Sequence, residues 1–288
     1  MKKGYIYIVL CAFIFSTMEL AGKLVAGSLS PIQVTFMRFL IGAVMLLPLA
    51  ANDLRRKSIK LELSDYVYFF VLGSLCIPIS MVLHQLSVVH TQASTAAIVF
   101  SINPLFTLPF AFFILGEKIE KKMVTALSVS LAGVVCIFNP FAVSYDIRGI
   151  LLALASALTF ALYTVLSKSR LSKYGGFIFN FFTFAAGEIV LFAVLFANGT
   201  PVFSSITSAN LPVIIYMGIV ITGLGYIFFL EAIKLTSPVT ASSVFFIKPA
   251  LAPLLSMAFL GERISLNVAI GMLLIVSGSV MSYRSRAS

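Results

Sequence analysis

The stretch TQASTAAIVFSINP at residues 91–104 returns 145 residues later as TSPVTASSVFFIKP at residues 236–249. Downstream of each copy lies a second shared signature, Leu115-Gly116-Glu117-Lys118-Ile119 against Leu260-Gly261-Glu262-Arg263-Ile264. The same offset pairs Gly73 with Gly218, Gly133 with Gly278, Phe15 with Phe160 and Lys23 with Lys168, with no gap from one end to the other. Chance similarity between apolar helices would match scattered Leu and Val. It does not bring Pro, Gly, Glu and Lys into one register, so the chain reads as an internal duplication. The two units are residues 1–143 and 146–288.

What is duplicated follows from composition. Of 288 residues, 60% are hydrophobic and 10% charged, and the mean hydropathy is +1.08. A soluble domain is about half apolar and a quarter charged, so that class is excluded. Apolar runs bounded by charge, Gly, Pro or Asn fall at residues 4–26, 31–51, 65–88, 92–115, 121–139, 147–167, 176–197, 210–232, 238–260 and 264–283. The runs are continuous and about 20 residues long, which predicts helices spanning a bilayer, five per repeat. The fold expected is an all-α polytopic membrane protein of ten transmembrane helices.

The net charge of +10 would suit nucleic acid in a soluble protein, but no basic tract is present to bind it. Sorted by side with the N-terminus inside, fifteen Lys and Arg fall in cytoplasmic segments, against Arg148 and Arg263 in the opposite loops. This positive-inside bias predicts both termini in the cytoplasm of a plasma (inner) membrane protein. Lys2 and Lys3 before an apolar run resemble a signal peptide. With no small-x-small cleavage site and nine more runs following, a retained first span is expected. Trp is absent, so Tyr5, Tyr7, Tyr66, Tyr68 and Tyr283 are the candidate interfacial anchors. Cys11, Cys76 and Cys136 lie inside apolar runs without metal-site spacing and read as small core residues.

Five spans is an odd number, so the second copy enters the membrane from the opposite side. The charges agree. Glu120-Lys121-Lys122, expected inside, corresponds to Ser265-Leu266-Asn267, expected outside and without lysine. Two inverted halves can exchange conformations and open a midplane cavity first to one side and then to the other, which is the physical basis of alternating access.

The combination of Phe15 and Lys23 in span 1, Arg38 in span 2, Asn103-Pro104-Leu105-Phe106, Leu115-Gly116-Glu117 and Ala132-Gly133 resembles the EamA-type module of the drug/metabolite transporter superfamily. The second copy carries Lys248-Pro249-Ala250, Leu260-Gly261-Glu262-Arg263 and Ser277-Gly278. The resemblance implies a 5+5 inverted fold around a central cavity and export or exchange of small metabolites without ATP hydrolysis. Phe15 stands where the family often has Trp, and Lys248 where it often has Glu or a neutral residue.

An ionisable group at mid-membrane costs at least about 2.5–3.5 kcal/mol, so each needs a partner or a wet cavity. Counted at about 1.5 Å per residue, Lys248, Asn103 and Glu188 lie near the midplane, and the repeat places Asn103 and Lys248 at equivalent positions. Glu19 and Arg38 lie in the outer half, with Lys23 one turn from Glu19. Two readings stand. Glu19–Arg38 and Glu188–Lys248 are static pairs, or Lys248 with Asn103 captures a substrate carboxylate or phosphate while Glu19 or Glu188 binds an amine or relays a proton. His84, with Gln85 near the outer end of span 3, is either a solvated cap or a cavity residue. Pro104 and Pro249 in mid-span predict kinks and candidate hinges. Gly116 and Gly261 are expected to end spans 4 and 9, with Glu117 and Glu262 at the two surfaces. Ser130, Ala132, Gly133, Gly271, Ser277 and Gly278 predict close helix contact, within a monomer or across a homodimer.

The function expected is secondary active transport of a small polar metabolite, such as an amino acid or related compound, with the proton as candidate coupling ion. A carrier of a lipid-linked or nucleotide-sugar substrate and a non-transporting receptor or scaffold are the alternatives. A Walker-type loop is absent, and two lone histidines supply neither a metal cluster nor a nucleophile–base pair, so neither an enzyme nor a cofactor is expected.

Overall fold

In lipid a backbone must satisfy its own hydrogen bonds, and each apolar run is helical in the computed structural model, which describes residues 2–119, 121–137, 147–203, 205–261 and 263–287. The first half contains α1 (Lys2–Phe15), α2 (Met18–Val25), α3 (Pro31–Lys57), α4 (Leu63–Ser74), a π-helical stretch (Leu75–Met81), α5 (Val82–His90), α6 (Ala93–Phe100), α7 (Asn103–Leu115) and α8 (Lys121–Ile137). The second contains α9 (Ile147–Tyr174), α10 (Gly176–Ala197), α11 (Leu211–Tyr216), a second π-helical stretch (Met217–Leu224), α12 (Gly225–Leu235), α13 (Pro238–Ala241), α14 (Val244–Leu260) and α15 (Leu266–Ala287). The junction between the repeats, residues 138–146, and Glu262 lie outside the described residues.

Among the described residues, 7 helical segments are long and apolar enough to cross a membrane: Lys3–Val25, Pro31–Lys57, Leu63–His90, Ala93–Leu115, Ile147–Tyr174, Gly176–Ala197 and Leu211–Leu235. Val124–Gly133 and Leu266–Gly278 are shorter apolar stretches, lying within α8 and α15, which pack against each other. Two spans outrun the apolar stretch. Helix α3 continues to Lys57 and α9 to Tyr174, because Arg55, Arg56, Lys57 and Lys173 sit in their last turns. Cations there complement the helix dipole, and a polar tail does not end a helix that has left the bilayer.

The duplication is visible in detailed contacts. Lys23 Nζ donates to the carbonyls of Val88 at 3.0 Å and Thr91 at 2.8 Å. At the repeat offset, Lys168 Nζ donates to Ile233 at 2.8 Å and Thr236 at 3.3 Å. Each lysine thus closes the C-terminal carbonyls of a neighbouring span, which the helix itself leaves without donors. The ammonium of Lys23 is committed there rather than to Glu19. Replacing Lys168 with Met is expected to lower stability by about 0.5–1.5 kcal/mol, read as a modest fall in Tm in detergent.

The repeats also cross one another in equivalent ways. A Cβ on Gly73 would come within 2.4 Å of the Thr183 carbonyl oxygen, and one on Gly218 within 2.5 Å of Ile41 and 3.3 Å of the Arg38 carbonyl. Only glycine permits these approaches. The first π-helical stretch follows Gly73 and the second contains Gly218, and each carries side chains to the same central space.

The spans expected to kink at proline behave differently from one another. Helix α6 ends at Phe100 and α7 begins at Asn103, with Pro104 in its first turn, where proline's missing N–H costs nothing. Span 4 is therefore broken rather than kinked. In span 9 the break comes at Ser242 and Ser243, and α14 runs unbroken past position 249. Gly116 and Gly261 have φ of 68° and 67°, the left-handed helix ends expected of them. Cys11 and Cys76 are buried core residues, and Cys136 is half-buried.

Candidate functional site

The centre of the molecule is an aromatic cage with pseudo-twofold symmetry. Phe15 and Phe160 are one equivalent pair, Phe100 and Phe245 another. Phe160 lies 5.8 Å from Phe100 and 5.7 Å from Phe245, and Phe100 meets Phe245 edge-on at 5.2 Å. Met81 and Tyr226, also equivalent, lie at the end of the first π-helical stretch and just past the second and line the same space. The cavity encloses about 310 Å³ including its mouth and is completed by Met18, Ile221, Arg38, His84 and Lys248.

The charges break the symmetry. Positions equivalent to Arg38, His84, Glu19 and Lys248 hold Thr183, Phe229, Thr164 and Asn103. Span 1 is interrupted at Ser16 and Thr17, whose hydroxyls donate to Ala12 and Ile14 carbonyls. The break puts Glu19 in the first turn of α2, where the helix dipole favours a carboxylate. From there Glu19 Oε1 accepts from Lys248 Nζ at 2.6 Å and from His84 Nε2 at 3.1 Å. All three side chains are buried. His84 packs on Phe100 with centroids 4.6 Å apart, and Lys248 Nζ lies 5.2 Å from the centre of that ring. One carboxylate therefore joins spans 1, 3 and 9 across the two repeats.

The expected pairings are exchanged. Glu19 binds Lys248 and His84, not Arg38, and Glu188 has neither carboxylate oxygen hydrogen-bonded among the described residues. His84 is buried against Phe100 and lines the cavity; it is not a solvated cap. Asn103 does not join Lys248. Its Nδ2 donates to the Ala157 carbonyl at 2.8 Å and its Oδ1 accepts from Thr107 at 3.1 Å, so its amide holds α7 against α9. Residue counting yields only an expected depth for each group. It does not give the direction the group faces, because the helix breaks reset the angular phase.

Arg38 lines the cavity at 1% exposure. Its Nη1 has two long contacts, Met18 Sδ at 3.6 Å and Thr222 Oγ1 at 3.5 Å, and its guanidinium lies 4.5 Å from the centre of the Phe39 ring. Nε and Nη2 have no hydrogen-bond partner among the described residues.

Two further contacts, not anticipated, tie the repeats together away from the cavity. Asp65, 1% exposed, accepts from Arg170 Nη1 at 2.7 Å and Lys173 Nζ at 3.1 Å. At the equivalent place Asn210 Nδ2 donates to Ser28 Oγ at 3.1 Å. The offset of 145 that relates Asp65 to Asn210 also relates Ser28 to Lys173. The signal was present in the repeat but required knowing that the two residues of each pair touch.

Comparison with known proteins agrees with this architecture. The profile described as the EamA-like transporter family matches residues 2–139 and again residues 147–284. An uncharacterized transporter of Clostridium kluyveri is 49% identical, covering 99% of this chain and 94% of its own. The pseudopaline exporter CntI of Pseudomonas aeruginosa is 26% identical over 54% of this chain and 55% of its own. One crystal structure superposes with a TM-score of 0.75 at 19% identity, covering 100% of both chains.

Proposed function

This chain belongs to the EamA-like transporter family, and from that premise we propose that it carries a small metabolite across the plasma membrane by alternating access of two inverted five-helix repeats, residues 1–143 and 146–288. It is a membrane protein and a transporter. The ten-helix count, the cytoplasmic termini and the substrate class are this proposal's own content.

The observation that carries the reading is the pairing of a pseudo-symmetric cavity with equivalent ties at its two ends. Asp65–Lys173 and Asn210–Ser28 each join one repeat to the other. In the orientation given by the positive-inside bias, the first closes the cytoplasmic side and the second the outer side. Releasing one while keeping the other opens the cavity to one compartment, and the pseudo-twofold axis converts each arrangement into its opposite. Lys248, Glu19 and His84 lie between the ties as the candidate substrate and proton-coupling group. The cavity wall is mostly aromatic side chains packed within about 6 Å of one another, which suits a small metabolite better than a nucleotide sugar.

Solute counterflow in proteoliposomes tests the function. Vesicles preloaded with a panel of unlabelled metabolites are expected to accumulate labelled solute transiently for the matching compound. A receptor or scaffold would give no counterflow for any compound while still binding one.

A further inference from the structure

Arg38 is the cation at the cavity wall that makes no salt bridge among the described residues. Lys248, the other cation there, is committed to Glu19 at 2.6 Å, and His84 donates to the same oxygen. Arg38 has two nitrogens, Nε and Nη2, without hydrogen-bond partners, a third, Nη1, with only contacts of 3.5 Å or more, and 1% exposure. A guanidinium buried in this way is stable only with an anion or water beside it. The rest of the wall offers no acceptor of comparable strength: it is Phe15, Phe100, Phe160, Phe245, Tyr226 and two methionines.

Resting on the transport reading above, we propose that the substrate is a small organic monoanion with a flat apolar body, its carboxylate held by the Arg38 guanidinium and its body packed against the phenylalanine rings. The planar fork of arginine matches the two oxygens of a carboxylate. The ring faces accept a flat apolar group by stacking or edge contact. Two guanidinium nitrogens without hydrogen-bond partners call for one bidentate anion. A zwitterionic amino acid fits less well, because its ammonium needs an acceptor in the cavity, and Glu19 does not line it. The inference thus shifts anion capture from Lys248, the residue favoured by depth alone, to Arg38.

Glu188 lies at the same level on the adjacent helix. Phe39 meets Phe184 at 4.9 Å and Phe36 approaches Phe192 at 6.1 Å, which sets α3 and α10 antiparallel with position 188 facing the turn that carries Arg38. The Glu188 carboxylate makes no hydrogen bond to Arg38 or to any other described residue, so the guanidinium fork is left for a ligand.

The test uses the full chain in nanodiscs, with benzoate and phenylacetate as probes, benzamide as the neutral isostere and phenylalanine as the zwitterion, read by calorimetric titration. In the wild-type protein the carboxylates are expected to bind and benzamide to bind at least about tenfold more weakly. Arg38→Lys and Arg38→Met should weaken carboxylate binding by a similar factor or more, and circular dichroism and gel filtration establish that each variant is folded. The wild-type comparison stands even where a variant fails to fold. Equal binding of benzamide, preference for phenylalanine, or binding of none of the probes would overturn the assignment, whatever compound shows counterflow. Arg38-dependent carboxylate binding without counterflow would uphold it and refute the transport reading instead.

Discussion

Replacing Glu19 by Gln is expected to abolish transport and to lower the stability of the fold by about 3–5 kcal/mol. The size follows from what one carboxylate holds. Lys248 and His84 both donate to Glu19 Oε1, and all three side chains are buried. Losing the negative charge leaves an ammonium without a counter-ion between apolar helices, where an unpaired charge costs far more than an intact pair contributes. The second expectation separates stability from function. The double variant Glu19→Gln with Lys248→Met removes the stranded cation and should recover much of the lost stability, read as Tm in detergent. It should still fail in counterflow, because the group joining spans 1, 3 and 9 is gone. Lys248→Met alone should transport poorly while losing less stability than Glu19→Gln, since His84 remains on the carboxylate. If Glu19→Gln and the double variant are equally unstable, the ion pair is not what the carboxylate supplies. If Lys248→Met transports at the wild-type rate, the group has no part in the cycle and is a static brace.

Much of the architecture could be read from the residues, because duplication and hydrophobicity are one-dimensional signals. An offset of 145 residues needs no structure to detect, and it paired Lys23 with Lys168 and Gly73 with Gly218, positions whose contacts prove equivalent. The partners of the buried charges could not be read in the same way. Counting 1.5 Å per residue gives depth, whereas pairing depends on angle around the helix axis. That angle is reset by the interruption at Ser16 and Thr17, by the break at Ser101 and Ile102, and by the π-helical turns at Leu75–Met81 and Met217–Leu224. Glu19 consequently faces Lys248 instead of Arg38, and Asn103 faces the Ala157 carbonyl instead of Lys248. Pro104 and Pro249 illustrate the same limit. Both were readable as irregularities, but the hydroxyl-rich turns beside them decide where the helices stop.

The two ties between the repeats differ in chemistry although they are equivalent in place, and this difference should set the resting orientation of the transporter. Asp65 is buried and receives two cations, whereas Asn210 makes a neutral bond to Ser28. Hydrogen bonds to charged groups contribute about 1.5–3 kcal/mol against about 1 for neutral ones. Arg170 and Lys173 are 35% and 49% exposed, so solvent screening reduces the advantage without reversing it. In the proposed orientation the remaining difference favours keeping the cytoplasmic side closed. Asp65→Asn is expected to remove it, raising hydrogen exchange at the ends of α4 and α9 near residues 63–67 and 170–174 while leaving the region around Ser28 and Asn210 unchanged. Moving the ionic tie gives the converse result. Asn210→Asp with Ser28→Lys, built on Asp65→Asn, should protect the outer ends, expose the cytoplasmic ones and reverse the preferred direction of net flux at equal substrate on both sides during the first turnover. Were exchange at both ends unaffected by either set of changes, these contacts would be surface decoration and the closing of each side would lie elsewhere, in the crossings at Gly73 and Gly218. A shift at both ends together would mean loosened packing rather than a change in access. Only opposite shifts at the two ends identify the pairs as the gates of one alternating cycle, because reciprocity is what an inverted repeat imposes.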